Sequence, residues 1–275
     1  MEQENRSNCL GGERSERKKV SDKIYYFTGT VIMNLTFPLL FLLITSIGIL
    51  ISPVLILCLK MLTIMKNDQI IRKLIWVYGR FWLFIIAPFV QFNKDNITKD
   101  TITERSIIVV NHLSFFDTYC MGLLPLANIS FAVGSWPFRI LCFRPFMLMA
   151  KYMEMGENNW PQTKKLGLEL LSEKCTLLFF PEGHRSRDGT LGRFHSGAFK
   201  LSIEAGVPIV PLCITGTDNL LPPGRKWVKP SKVYLRALSP VDPKEFINSP
   251  IPHLEMRKHV KKQMVEVIAQ MQRKN

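Results

Sequence analysis

The sequence predicts an α/β fold: a mostly parallel mixed sheet flanked by helices, with an N-terminal membrane-associated helical hairpin. Three observations carry this. From Pro88 onward, short apolar runs rich in β-branched residues alternate with helix-length stretches. Polar groups cluster directly after two of those runs, at Asn111–Asp117 and Pro181–Ser186, where sheets of this kind place their sites. Ahead of them, Ile24–Leu59 contains no charged residue at all, which marks a segment that leaves water.

Composition sets the bounds. A chain of 275 residues makes one good domain plus an appendage. Hydrophobic residues make up 47%, rich for a soluble protein and too few for a polytopic membrane protein. The net charge of +14 calls for an anionic partner, either nucleic acid or an anionic membrane. There is no zinc-finger spacing and no aromatic RNA-binding motif, and the uncharged segment argues for membrane and against nucleic acid. The six cysteines include no Cys-x-x-Cys pair and several lie in apolar runs, so they read as reduced and buried. His184 and His195 flank the second polar cluster, but no cysteine or carboxylate set completes a ligand spacing, so no metal is expected.

Met1–Lys23 is polar and carries Arg14, Arg17, Lys18, Lys19 and Lys23. It reads as a basic, disordered tail that touches lipid headgroups. The apolar run after it is too long for a signal peptide and lacks a small-residue cleavage site. As one helix, Ile24–Leu59 would be about 54 Å long against a hydrocarbon core of about 30 Å. Pro38 and Pro53 interrupt it, and both flanks are basic. The reading is a tight hairpin inside 24–59, spanning or re-entrant, with both ends cytoplasmic; a single tilted span is the alternative. Gln69–Phe92 mixes Trp76, Tyr78 and Trp82 with Arg72, Lys73 and Arg80. That suits an interfacial helix or, failing that, a core helix of the next domain. The chain thus divides into a basic tail over 1–23, a membrane-anchoring helical segment over 24–92 and a domain over 93–275.

Within that domain the candidate strands are Ile107–Val110, Ser130–Val133, Phe146–Lys151, Thr176–Phe180, Pro208–Ile214 and Lys232–Ala237, with a further one at Pro88–Asn93. The candidate helices are Phe115–Leu124, Pro161–Ser172 and Ser196–Ala205. His253–Gln272 repeats Val260, Met264, Val267 and Met271 at helical spacing beside lysines, an amphipathic helix that packs on the domain.

The first polar cluster contains His112 and Asp117. On one helix, five residues advance about 500° and leave the two side chains about 140° apart. They meet only if His112 sits on a strand-to-helix turn and the chain reverses to bring Asp117 back. Ser114 is then the N-cap, and Asp117, at the third helical position, suits the positive end of the dipole. A carboxylate on one ring nitrogen fixes the tautomer and leaves the other nitrogen as a general base. A lone histidine at a strand end is more often structural; the second cluster settles the matter. There Glu182, Gly183 and Arg185 follow another apolar strand. Gly183 allows close approach or a positive φ, and Arg185 can grip a phosphate bidentately. Arg187, Arg193 and Lys200 add positive charge.

Together, Asn111–Asp117 (NHLSFFD) and Phe180–Ser186 (FPEGHRS) resemble the signatures of the glycerolipid acyltransferases, typified by lysophosphatidate acyltransferase. Those signatures are Asn-His-x4-Asp and Phe-Pro-Glu-Gly-Thr-Arg-Ser, and Gly206–Leu212 (GVPIVPL) is a third, weaker match. The resemblance covers Pro88–Pro240. It implies acyl transfer from a thioester to a lysolipid hydroxyl, most simply lysophosphatidate giving phosphatidate in phospholipid biosynthesis. It implies His112 and Asp117 as the catalytic pair, and Glu182, Gly183, Arg185, Asn111 and Ser114 at the substrate. No cofactor is implied beyond an acyl-CoA or acyl carrier protein thioester as co-substrate. The implied partners are membrane lipids and the lysolipid, on the cytoplasmic face of a membrane of bacterial inner-membrane type. Ser114 reads as a cap or hydrogen-bond partner and not as a nucleophile, because a thioester is already activated.

Two positions depart from the family pattern. His184 stands where the family has Thr, and Met147–Asn159 lacks the family's Asp-Arg, whose Arg assists phosphate binding. Another lysolipid, such as a lyso-aminolipid, is therefore an alternative acceptor. A non-catalytic membrane-binding protein on the same fold is the alternative of a different class.

Overall fold

A computed structural model describes residues 2–156 and 159–273, with side chains from Lys19 onward. The chain opens with α1 (Glu2–Leu62) and α2 (Asn67–Ile86), followed by β1 (Val90–Asp95) and β2 (Ile107–Val110). Next come α3 (Asp117–Cys120), β3 (Ile129–Gly134), α4 (Arg144–Met149), β4 (Met153–Met155), α5 (Trp160–Ser172) and β5 (Thr176–Phe179). It closes with α6 (Gly197–Ala205), β6 (Ile209–Thr215), α7 (Thr217–Leu220), β7 (Ser231–Ala237) and α8 (Pro252–Arg273).

The seven strands form one sheet in the order β1-β7-β6-β2-β5-β3-β4. Every neighbouring pair is parallel except β6 and β7, so this is the mostly parallel mixed α/β sheet the sequence predicts. Side chains alternate across it. Ile107, Val109, Leu177, Phe179, Ile209 and Cys213 pack under α5, α6 and α8. Ile108, Val110, Leu178, Val210, Leu212 and Ile214 pack on the opposite side, with Leu83 and Ile86 of α2 and Met33 of α1. Burial on both faces is why β2 and β5 are unbroken apolar runs rather than alternating ones.

The structure corrects four expectations. The chain is one helix through Pro38 and Pro53, so no hairpin bend lies inside 24–59. The helical hairpin exists, but its arms are α1 and α2 and its turn is residues 63–66. The arms run antiparallel: Tyr25 Oη donates to Pro88 O at 2.8 Å, Phe37 and Phe41 pack on Trp82, and the Thr45 and Tyr78 hydroxyls bond at 2.7 Å. The hairpin pairs α1 with α2, so α1 continues through its prolines. The stretch 2–23, expected to be a disordered tail, is helical as the start of α1; the side chains of Arg14, Arg17 and Lys18 lie outside the described residues. Phe146–Lys151 is not a strand. It falls in the crossover between parallel β3 and β4, where the short helix α4 lies beside α2 with none of its residues fully buried. Finally, Phe116 rather than Ser114 is the N-cap of α3, so Asp117 takes the first helical position instead of the third.

α2 is at once a core helix and a surface helix. It buries Ile70, Ile71, Leu83 and Ile86 and exposes Val77, Phe81 and Phe84. A buried Arg72 fixes its start to the sheet. The guanidinium pairs with Asp68 at 2.8 Å and donates to Asn128 Oδ1 and Ala150 O, which satisfies a charge that would be costly if left bare. Among the described residues one helix, over Lys19–Leu62, is long and apolar enough to cross a membrane by length and composition.

Candidate active site

The parallel strands β2 and β5 end side by side, and both polar clusters emerge from their C-terminal ends. The turn after β2 folds back on itself, so that His112 Nδ1 lies 2.8 Å from Asp117 Oδ2. That same oxygen accepts the backbone N–H groups of Leu113 at 2.7 Å and Ser114 at 2.8 Å. The other oxygen accepts the hydroxyl of Thr217, at the head of α7. Asp117 is fully buried, and four hydrogen bonds fix both of its oxygens. An Nδ1–H donating to this carboxylate leaves Nε2 as the lone-pair nitrogen of the neutral ring. Nε2 makes no hydrogen bond among the described residues, and 17% of the His112 side chain stays exposed. Phe180, the last residue before the second cluster, stacks on the imidazole at 4.2 Å between ring centroids and holds its plane.

Glu182 ties the two clusters together. Its Oε1 accepts from His112 N at 2.9 Å and its Oε2 from Gly192 N at 2.8 Å, while Ser186 N donates to His112 O at 2.7 Å. Glu182 is 2% exposed, and both of its oxygens brace the loop. Burial pushes its carboxyl above the ordinary range, against the N–H groups of His112 and Gly192, which pull the other way. The folded state therefore holds this proton to higher pH than the unfolded chain. The stabilisation is complete below the unfolded pKa and is lost as pH rises through the raised one. Denaturant melts between about pH 4 and 8 should thus show the wild type losing stability relative to Glu182→Gln as pH rises. A gap that moved the other way would contradict this assignment.

Asn111 and Ser114, expected at the substrate, are turned inward. The Asn111 amide donates to Ile214 O at 2.9 Å and accepts from Ile214 N at 2.8 Å, which extends the pairing of β2 with β6. Ser114 Oγ donates to Leu221 O at 2.7 Å and accepts from Phe116 N. Both side chains are buried, and each donates to and accepts from the protein's own backbone. Gly183 has φ of 74°, and a Cβ there would lie 3.2 Å from His195 Nε2. Beyond it His184 and Arg185 are exposed, and Arg185 makes no ion pair or hydrogen bond among the described residues. Of the departing middle stretch Met147–Asn159, Glu157 and Asn158 lie outside the described residues.

Two further residues complete the site, Thr217 through its hydroxyl on Asp117 and Phe180 through its ring on His112. The small-polar Gly216-Thr217 pair after β6 is the signal for the first. Nothing in the sequence marks the second, because stacking depends on β5 lying next to β2.

Residues 90–215 match the family model described as Acyltransferase. The chain is 31% identical over 165 residues to the chloroplastic 1-acyl-sn-glycerol-3-phosphate acyltransferase LPAT1 of Arabidopsis thaliana, covering 58% of this chain and 46% of that protein. It is 35% identical over 98 residues to the 1-acyl-sn-glycerol-3-phosphate acyltransferase of Salmonella typhimurium, covering 36% of this chain and 38% of that protein. The chain spans about half the length of the first curated relatives it matches. The crystal structure of the 1-acyl-sn-glycerophosphate acyltransferase PlsC from Thermotoga maritima superposes with a TM-score of 0.70 at 25% identity, over 88% of this chain and 98% of that one.

Proposed function

From the match of residues 90–215 to the Acyltransferase family model, we propose that the protein transfers a fatty acyl group from a thioester to the hydroxyl of a lysolipid. The observation that carries this reading is the His112–Asp117 pair at 2.8 Å, with Nε2 left without a hydrogen bond among the described residues at the C-terminal end of β2. Nε2 takes the proton of the acceptor hydroxyl as its oxygen attacks the thioester carbonyl. The buried carboxylate of Asp117 steadies the imidazolium that forms. The tetrahedral intermediate collapses, the C–S bond breaks, and the imidazolium returns its proton to the departing thiolate. The donor is acyl-CoA or acyl carrier protein, and no covalent enzyme intermediate is needed.

Lysophosphatidate is the first acceptor to test, because the curated relatives are named for 1-acyl-sn-glycerol-3-phosphate. A lyso-aminolipid is the second, favoured by the absence of an arginine from Met147–Asn159. Thiol release by the full chain, given a long-chain acyl-CoA and each lysolipid in turn, distinguishes them. No release with any acceptor would leave the non-catalytic membrane-binding reading. Arg185 is the cation for an acceptor phosphate, since its planar fork matches phosphate oxygens. Arg185→Lys should raise the KM of lysophosphatidate roughly tenfold, by about the difference between a bidentate and a point contact, and leave the thioester KM unchanged. An effect confined to the thioester would overturn this role.

The protein works at the cytoplasmic face of a membrane in this reading. The thioester is held in the cytoplasm, and the lysolipid need not leave the bilayer if the site sits at headgroup height. α1 is docked lengthwise on the domain from Tyr25 to Thr45. That supports a helix lying along the membrane surface, with Leu35, Leu39, Leu42 and Leu50 outward, rather than one crossing alone.

A further inference from the structure

Polar side chains in α1 mostly satisfy themselves within the helix. Thr28, Thr30 and Thr36 each donate to the carbonyl four residues back. Asn34 does not stop there. Its amide nitrogen donates to Thr30 O at 2.6 Å and to Val228 O at 2.8 Å, and its Oδ1 accepts from Val228 N at 2.9 Å. Every group of Val228's peptide pairing is thus taken by one side chain, in the manner of Asn111 with Ile214. The helix also sits close here: a Cβ on Gly29 would lie 2.9 Å from Pro230 Cγ.

Val228 belongs to the loop that grips the catalytic turn. At its near end Thr217 donates to Asp117 and Leu221 O accepts from Ser114. In between, the loop is braced as one unit. Lys229 N donates to Leu220 O at 3.1 Å, and the Arg225 guanidinium donates to the carbonyls of Asn219, Leu220 and Trp227. A shift of α1 at Asn34 is therefore passed to the groups that hold Asp117.

We propose that Asn34 is a positioning residue, through which the seating of α1 sets the geometry of the His112–Asp117 pair. The proposal rests on His112 being the general base. A misplacement of about 1 Å can cost about 10²-fold in rate, so loss of this one link is expected to lower kcat about tenfold. Asn34→Leu removes all of the amide's bonds yet keeps α1 apolar. It should leave vesicle sedimentation and the thioester KM unchanged, and shift or broaden the downfield NMR signal of the His112 Nδ1 proton in micelles. Thr36→Leu, which touches only its own helix, should change none of these. Because Asn34→Leu and Thr217→Val cut one path, the double variant should lose little more kcat than Thr217→Val alone. Ser114→Ala cuts the path at its far end without touching α1. It should reproduce the NMR change even if Asn34→Leu proves unstable.

Wild-type kcat in Asn34→Leu, multiplicative losses in the double variant, or loss of sedimentation with kcat intact in micelles would each overturn the proposal. Normal turnover in His112→Ala would remove the reading of the site itself. An inactive His112→Ala beside a fully active Asn34→Leu would remove this coupling alone.

Discussion

His112→Ala is expected to lower turnover by on the order of 10² or more, the range typical of a positioned general base, with vesicle association unchanged. The expectation follows from where the imidazole's bonds go. Nδ1 is committed to Asp117, and the backbone N–H of His112 is committed to Glu182. Removing the ring leaves the main-chain bond to Glu182 in place, so the turn keeps its course and the loss is chemical rather than structural. Asp117→Asn should also be severe, for a second reason. An amide offers only one acceptor oxygen where the carboxylate offers two, so either the Thr217 hydroxyl or the three donors at His112, Leu113 and Ser114 face an NH2 instead. Steady-state rates of thiol release, with circular dichroism to show that both variants fold, check this. Near-normal turnover in purified His112→Ala would end the proposed mechanism.

Much of this was legible in the sequence where burial is uniform. β2, β5 and β6 sit in the middle of the sheet with both faces covered, so they read as unbroken apolar runs flanked by polar turns. The meeting of His112 with Asp117 was legible too, because a separation of five forbids contact on a helix and demands a reversal. What failed were features decided by distant partners. α4 is as apolar as a strand, yet it lies in the crossover beside α2, far back in the chain, with none of its residues fully buried. Pro38 and Pro53 suggested a bend, yet α1 finds its partner in α2 and stays one helix. Asn111 and Ser114 lie in the Asn-His-x4-Asp match and so read as substrate ligands. Their bonds go to Ile214 and Leu221, residues that only the placement of β6 beside β2 brings near. Thr217 is a hundred positions from Asp117, and no local pattern links them.

That dependence on β6 predicts the second large effect, in which a single methyl group unsettles both the sheet and the site. Gly216 joins β6 to α7 with φ of 88° and lies immediately before Thr217. A Cβ there would sit 1.9 Å from Lys232 O, well inside contact distance. The obstacle is backbone of β7, not the end of a flexible side chain, so it cannot rotate away. β7 is also held by β1 on its other side, and Ser231 Oγ is bonded to Gly216 O at 2.8 Å. Either β7 shifts or the turn opens, and opening the turn carries Thr217 off Asp117. Gly216→Ala should therefore cost on the order of 3 kcal/mol or more, combining left-handed strain with the displacement of packed backbone. Gly206 is the internal comparison. Its φ is 63°, also left-handed, but nothing lies within 4 Å of its Cβ position. Gly206→Ala should cost only about 1 kcal/mol, the strain alone. Equilibrium denaturation of the two variants separates clash from strain. Equal losses would mean that β7 yields freely, and that the turn before Thr217 is not the rigid support described for Asp117.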